Sequence, residues 1–368
     1  MSIRLPAALG SIVEAALAPH PVDRYLELVD PMITWRDLRA RIARVDHPTD
    51  RTVRLTLEPT RQWRGHQAGQ YVQLKVVIDG VRHIRCFSPA NAATGPDGTV
   101  ELTITAHEDG FVSSHLRDHA AVGDVVGLSQ ASGDFVLPSR PMTSAVFITG
   151  GSGITPALSM LRTLVTDRDA DSYGAPITFV HYSRTPADLA YSAELAELAQ
   201  THPHVDVRLH HTRTDDGTPV DDGRFHAGHL ADIPDHDRAD VFVCGPPSLM
   251  DAVREYYADA HPTAQVHSEA FVLAAPAAVD PNEPVSGEIT FAASGRSAAN
   301  DGRTLLEQAE AAGLTPESGC RMGICFSCTT IKKAGCTRNV LTGDIDSEAD
   351  KQIQLCINAP VGDVEIEV

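Results

Sequence analysis

The chain has 368 residues, 42% hydrophobic and only 5% aromatic, with 49 acidic against 30 basic side chains and a formal charge of −19. That length supports two or three domains with buried cores. The acidic balance argues against nucleic acid or an anionic membrane surface as partner, both of which call for clustered Lys and Arg, and suits solubility or docking on a basic protein.

Taken in order, residues 1–34 read as an extension. The alanine-rich stretch Leu5 to Leu17 is interrupted by Glu14, is too short to span a bilayer and lacks the shape of a signal peptide. It is expected to pack on the body of the protein as a short helix, with peripheral contact to a membrane or a membrane-bound partner left open. Pro21 to Met32 reads as an irregular connector.

Over residues 35–140 short alternating runs predict an antiparallel β-barrel or sandwich: Thr52 to Leu57, Tyr71 to Ile78, His83 to Ser88, Val100 to Ala106 and Val125 to Leu128. One strand ends Arg85-Cys86-Phe87-Ser88, with Arg85 and Phe87 on one face and Cys86 on the other. A guanidinium, a ring and a hydroxyl together can neutralise a phosphate, stack on a flat heterocycle and bond its edge, although an ordinary barrel strand carries such residues too. Gly110-Phe111-Val112-Ser113-Ser114 reads as a glycine turn opening a helix, whose N-terminal N–H groups and two hydroxyls suit a pyrophosphate or merely a Ser cap. Gly133-Asp134-Phe135 closes the region.

Residues 141–272 alternate strands with helices, which predicts a parallel sheet. Strand Ser144 to Thr149 runs into Gly150-Gly151-Ser152-Gly153-Ile154-Thr155, then a helix from Pro156 to Val165 with Pro at its first position. Strand, glycine turn and helix is a dinucleotide-phosphate arrangement, though not the Gly-x-Gly-x-x-Gly fingerprint. Strand Ile177 to Tyr182 follows, then helix Asp188 to Ala199, strands Asp206 to His211 and Asp240 to Val243, and helix Ser248 to Ala258. Ser183-Arg184 ends the second strand with no acidic residue before Asp188, so a ribose 2′-phosphate is favoured over a 2′-hydroxyl. Cys244-Gly245-Pro246 stands at a strand's carboxyl end, where ligands of open α/β sheets bind. His267 to Phe271, containing Glu269, is the last strand, and residues 273–285 are a Pro- and Ala-rich linker centred on Pro276 to Pro284.

Residues 286–368 contain Cys320, Cys325 and Cys328 in a Cys-x4-Cys-x2-Cys loop, with Cys356 on a predicted strand Ile353 to Ile357. Four thiolates at this spacing match a plant-type [2Fe–2S] cluster; a zinc ribbon would pair two short Cys-x-x-Cys hooks, and only one is present. Cys336 falls in Lys332 to Thr337, which reads as a polar hairpin turn and supplies no ligand. Cys86, Cys244 and Cys336, an odd remainder, read as reduced thiols of a cytoplasmic protein.

These motifs arrive in an order that resembles the ferredoxin-NADP reductase superfamily over Trp35 to Phe271: Arg-x-aromatic-Ser, Gly-x-x-Ser, Gly-Gly-x-Gly-Ile-x-Pro, Cys-Gly-Pro and an acidic-x-aromatic end. Val285 to Val368 resembles the plant-type ferredoxin family, which implies an α+β β-grasp domain after an antiparallel flavin barrel and an α/β nucleotide domain. The fused chain resembles one-component reductases of oxygenases and desaturases. With the reductases of actinobacterial acyl-CoA (stearoyl-CoA) desaturases it shares Arg-Cys-aromatic-Ser-Pro at Arg85 and Leu-Cys-Ile-Asn-Ala-Pro-Val-Gly-Asp at Leu355.

The resemblance implies that Arg85, Gly110, Ser113 and Ser114 hold the phosphates of a flavin, FAD rather than FMN. Phe87 stacks on the ring where relatives carry tyrosine, and Ser88 bonds near N5. Gly150 to Pro156 would hold the pyrophosphate of NADPH, with NADH open. Cys244 and Glu269 would stand near the nicotinamide and Phe271 near the flavin. Hydride carries two electrons and the cluster accepts one, so a flavin that exchanges both is expected between them. The implied acceptor is a separate chain, a fatty acyl desaturase in the first reading and a Rieske or cytochrome P450 oxygenase in the second. A flavin-free electron carrier or a zinc-stabilised interaction protein is the alternative of another class.

Overall fold

The computed structural model describes residues 22–93, 95, 98–107, 110–166, 174–261, 263–271, 285–319, 321, 323 and 326–368. The expected N-terminal helix, the linker Pro276 to Pro284, Cys320 and Cys325 therefore lie outside the described residues.

Strands β1 (Arg39–Thr49), β2 (Thr52–Pro59), β3 (Val72–Ile78), β4 (Val81–Phe87), β5 (Val100–Thr105) and β6 (Val125–Leu128) form one antiparallel sheet in the order β4-β3-β6-β1-β2-β5. Alternating positions of β2, β3 and β5 point inward, so Val53, Leu55, Leu57, Val72, Leu74, Val100 and Leu102 make one core around Trp63. The edge strands meet just beyond Ser88, where Pro89 bridges Leu102 and Ala90 N–H donates to the Glu101 carbonyl at 2.8 Å. That seam closes the barrel and brings the Arg85-to-Ser88 stretch beside β5. Helix α1 (Val22–Leu26) precedes the sheet, where the sequence reading expected an irregular connector; Asp23, buried, accepts backbone N–H bonds from Arg36 and Asp37. Helix α2 (Phe111–His119) buries Val112 and Leu116 against the barrel.

The second sheet is parallel, in the order β11-β10-β7-β8-β9, with β7 Ala145–Gly150, β8 Ile177–Ser183, β9 Val205–His211, β10 Asp240–Gly245 and β11 Gln265–Ala270. β7, β8 and β10 are buried along their whole length, as strands covered on both faces must be. Helices α3 (Ile154–Thr166) and α4 (Ser192–Thr201) contribute to the core on one face, and α5 (Pro247–Ala260) to that on the other. The strand order reverses between β7 and β10, and at such a switch point the loops diverge and leave a crevice.

Helix starts differ from the sequence reading. α3 begins at Ile154, so Pro156 is its third residue, where a missing N–H still costs no helical bond. The next helix, expected from Asp188 to Ala199, runs from Ser192 to Thr201, and Asp188 instead ends a separate 3-10 turn, Pro186–Asp188.

The third sheet is mixed: β12 (Glu288–Phe291), β13 (Arg296–Ala299), β14 (Thr329–Asn339), β15 (Ile345–Asp346), β16 (Lys351–Gln354) and β17 (Asn358–Ile366), with β12 and β17 parallel and the other pairs antiparallel. Helix α6 (Leu305–Ala311), started by a capping box between Thr304 and Glu307, lays Leu305, Leu306 and Ala309 across it. Two expectations fail here. Lys332 to Thr337 is part of β14, not a turn: Lys332 is fully buried because its ammonium reaches the Asp346 carbonyl at 2.5 Å and carboxylate at 2.6 Å, and Gly335, at φ +90°, adjoins a bulge. Cys356 sits on a 3-10 turn, Leu355–Ile357, not within a strand.

One ionic cluster ties the barrel to the parallel sheet. Arg162 on α3 pairs with Glu101 on β5 at 2.8 Å and Glu194 on α4 at 2.6 Å, and donates to the Ala90 carbonyl at 2.7 Å. The guanidinium groups of Arg54 and Arg162 both lie over the Tyr191 ring, 4.7 and 5.4 Å from its centroid.

Candidate functional site

A cavity of about 360 Å³ lies where the barrel seam meets the switch point. The barrel contributes Arg85, Cys86, Phe87 and Ser88 from the end of β4, and Gly110 and Ser113 from the start of α2; the parallel sheet contributes Ser152, Thr155, Glu269 and Phe271. Motifs separated by more than a hundred residues in sequence are thus brought to one space of the size small-molecule sites occupy. Ser114 is not in its wall; its hydroxyl lies 3.4 Å from the His107 carbonyl.

The first turn of α2 carries no side-chain cap, and at its start the Gly110 N–H donates to the His107 carbonyl at 2.9 Å. Ser113 donates its hydroxyl back to the Gly110 carbonyl at 3.1 Å. A Cβ at Gly110 would lie 2.3 Å from Ser113 Oγ, so glycine there keeps the turn open. Ser88 Oγ and Glu269 Oε2, on two residues of the cavity's lining, are buried without a hydrogen-bond partner. A positive helix end, an arginine, an aromatic ring and these orphaned atoms fit a flat heterocycle carrying phosphate.

Desolvation pushes the Glu269 carboxyl up to about pH 8. Ser88 opposes that rise in part, without reaching hydrogen-bonding geometry. Cys244 lies in register with Glu269 on the adjacent strand, wholly buried behind the cavity wall rather than in it, and burial, then the Glu269 charge, raises its thiol.

The glycine turn sits at the switch point. A Cβ on Gly153 would lie 2.3 Å from the Cys244 carbonyl oxygen, and one on Gly245 would lie 2.9 Å from the Gly150 nitrogen, so the two strand ends touch only because these positions lack side chains. Beside them a second pocket of about 390 Å³ is lined by Gly150, Gly151, Pro246, Ser183, Arg184, Thr212, Arg224 and Phe225. Ser183 is buried and its hydroxyl engaged, donating to the Thr185 carbonyl at 2.9 Å and meeting His211 Nδ1 at 2.7 Å. The exposed guanidinium groups of Arg184 and Arg224 are the cations of this pocket. Deeper, burial and then His211 hold His181 neutral, its pKa down to about 3, with Nδ1 at 2.8 Å from Thr149 Oγ1.

In the third sheet Cys328 and Cys356 are buried together, and the Cys356 N–H points at Cys328 Sγ at 3.5 Å. In the stretch before Cys328, the described residues Arg321, Gly323 and Phe326 all have positive φ. Gly319 is tied to a residue of the first cavity's wall: Arg85 Nη1 donates to its carbonyl at 3.3 Å.

Several residues escaped the sequence reading. Tyr71, Thr103, Thr105 and His107 line the first cavity and Arg224 the second. Tyr71 opened a predicted strand but carried no motif, and nothing local distinguishes Arg224 from a solvent-facing arginine.

The oxidoreductase FAD-binding domain family matches residues 42–137 and the oxidoreductase NAD-binding domain family residues 147–255. Over 98% of its length the chain is 33% identical to an NADPH oxidoreductase of Mycobacterium tuberculosis, 92% of which is covered. The chain belongs to the FAD- and NAD-binding oxidoreductases. It is 30% identical to the glycine betaine monooxygenase reductase subunit of Pseudomonas aeruginosa, over 81% of this chain and 86% of that one. The fold of phthalate dioxygenase reductase, described as a modular structure for electron transfer from pyridine nucleotides to [2Fe–2S], superposes with a TM-score of 0.62 at 24% identity, over 90% of this chain and 98% of that one. As in the ferredoxin-NADP reductase family, the flavin barrel precedes the nucleotide sheet, and the enzyme is an NAD(P)H-dependent flavin oxidoreductase.

Proposed function

We propose that this oxidoreductase is the reductase of a multicomponent system, carrying electrons from NADPH through FAD and a [2Fe–2S] cluster to a separate desaturase or oxygenase. The observation that supports the reading is the bond from Arg85, a residue of the barrel cavity's wall, to the carbonyl of Gly319, the residue before Cys320. A path from flavin to cluster needs that adjacency.

Bound FAD supplies an acceptor of hydride that releases electrons singly. Arg85 and the open N-terminus of α2 would neutralise its pyrophosphate, Phe87 would cover the ring, and Ser88 would offer its hydroxyl to the ring edge. Glu269, protonated below about pH 8, would place a neutral group beside the nicotinamide and avoid repelling the hydride it transfers. Cys244 would back that wall. Gly150 to Pro156 would admit the dinucleotide pyrophosphate, and Arg184 and Arg224 would receive the 2′-phosphate. Cys320, Cys325, Cys328 and Cys356 would ligate the cluster in a β-grasp ferredoxin domain over residues 286–368.

A fatty acyl desaturase is the favoured acceptor, on the two phrases shared with desaturase reductases. The likeness to a monooxygenase reductase subunit supports an oxygenase as the second reading. No helix of the described residues is long and apolar enough to cross a membrane; we place the protein in the cytoplasm on its cysteine usage, an odd remainder of three outside the four proposed ligands. The purified protein tests the reading at once. Flavin bands overlaid on broad cluster absorption, with FAD on extraction and two irons per chain, support it; a colourless protein, or FMN as sole flavin, contradicts it.

A further inference from the structure

Away from both cavities, Asp222, His226 and His229 bring a carboxylate and two imidazoles together, with one ligand atom from each within 4.8 Å of the others. Asp222 and His226 precede the 3-10 turn Ala227–His229, whose last residue is His229; the turn follows β9, and His229 meets Tyr182 of β8. His229 is the decisive residue. Its side chain is only 5% exposed, yet Nε2 has no hydrogen-bond partner and faces Asp222 Oδ2 at 3.5 Å, within ion-pair range but not in hydrogen-bonding geometry. A buried imidazole nitrogen left unsatisfied costs stability unless something fills it.

The surroundings hold that nitrogen in place. His229 Nδ1 lies 2.8 Å from Tyr182 Oη, the outer contact that fixes the ring of a metal-ligating histidine. His210 stacks on one side of the ring at 3.8 Å between centroids, and His226 lies at 3.9 Å. His226 Nε2 already meets Asp222 Oδ1. A Cβ on Gly223 would lie 2.2 Å from the His211 carbonyl oxygen, so the turn carrying Asp222 is pressed onto the end of β9 and its approach to His229 is built into the backbone.

We propose that Asp222, His226 and His229 form a binding site for a divalent transition-metal cation of the zinc type. Two nitrogens and one carboxylate oxygen favour such a cation over calcium or magnesium, which take oxygen ligands, and three protein ligands leave a position for solvent. Binding through Nε2 leaves each neutral imidazole with its proton on Nδ1. For His229 that proton meets Tyr182 Oη. For His226 it displaces the bond Nδ1 now accepts from the Gly228 N–H at 3.1 Å, one backbone bond exchanged for a metal bond. Arg224 and Phe225 lie between two of the ligands and line the 390 Å³ pocket. On the reading of that pocket as the NADPH site, the cation staples the turn that presents Arg224.

The test uses the full-length holoprotein, stripped with a chelator and equilibrated with zinc chloride against a competing metallochromic chelator. Zinc and iron are measured in the same samples for wild type, His226→Ala and Asp222→Asn. Both substituted residues are exposed, so both variants should fold. Each is expected to bind one zinc fewer per chain with iron unchanged, and zinc-edge absorption of the wild type should show nitrogen and oxygen ligands. Equal zinc in all three proteins, or sulfur ligands on the wild-type zinc, overturns the proposal. Neither result depends on NADPH or the electron path, so failure here is separable from failure of the proposed function.

Discussion

Arg85 and Gly319, 234 residues apart, are joined by a 3.3 Å bond from guanidinium to carbonyl, with a second bond at 2.8 Å from the same nitrogen to the Ile84 carbonyl. One side chain thus faces the barrel cavity and the loop that enters Cys320. Arg85→Lys keeps a positive charge for a phosphate but loses the planar fork. The variant should retain FAD, reduce ferricyanide from NADPH at near the wild-type rate, and reduce cytochrome c several-fold more slowly. Equal loss of both activities, or of neither, would show that the contact has no part in the onward path.

Arg162 is mostly buried between Glu101 and Glu194. Replacing it with Met leaves two carboxylates without their cation at the seam between barrel and parallel sheet. Loss of one partner from such a network costs about 3–5 kcal/mol. Arg162→Met should lower the midpoint of thermal unfolding by several degrees; an unchanged midpoint would mean that the cluster contributes little.

Arg184 and Arg224 line one pocket from different loops. A charge-assisted hydrogen bond contributes about 1.5–3 kcal/mol, so Arg184→Ala and Arg224→Ala should each raise KM for NADPH about tenfold or more. KM for NADH should scarcely change, because the lost contact is to a group NADH lacks. Steady-state kinetics with both cofactors decide it, and equal loss for both would remove these residues from 2′-phosphate recognition.

Glu269 is held protonated to about pH 8 against an ordinary value of 4.5. Between those values the folded chain binds the proton that the unfolded chain releases, so this group's contribution to stability falls as pH rises through that window and levels off above it. Glu269→Gln, which cannot ionise, should therefore gain stability relative to wild type at pH 8.5 and show no such gain at pH 4.5. Parallel melting curves across that range would show that the carboxyl is not perturbed.

Cys336 lies on β14 eight residues beyond Cys328, roughly 25 Å away along an extended strand, too far to share a cluster with it. Its neighbour across the sheet is Val361. Cys336→Ser should leave the cluster's EPR signal intact and Cys328→Ser should abolish it. The reverse result would reassign the ligands.

What could be read in the sequence was what is contiguous. Gly150 to Thr155 and Gly110 to Ser114 declare themselves because strand, turn and helix follow within a dozen residues, and the parallel order of the second sheet follows from its crossovers. Hidden features depend on partners distant in sequence. Lys332 looked like a turn residue because its partner Asp346 is 14 residues on and its burial only makes sense once they pair. Ser183 looked like a free donor until His211 and the Thr185 carbonyl took its hydroxyl. Tyr71 and Arg224 acquire meaning only from the cavities they line, and Cys356 left its predicted strand because Leu355–Ile357 must curl to set its N–H toward Cys328.

The proposed path carries electrons from NADPH to a cluster bound by this same chain. Anaerobic titration of the purified protein with NADPH, followed by low-temperature EPR, tests it most directly. The expected result is loss of the flavin absorption together with a spin-one-half signal of a reduced [2Fe–2S] centre approaching one spin per chain. Loss of the flavin absorption with no such signal, in protein shown to contain two irons per chain, would contradict it.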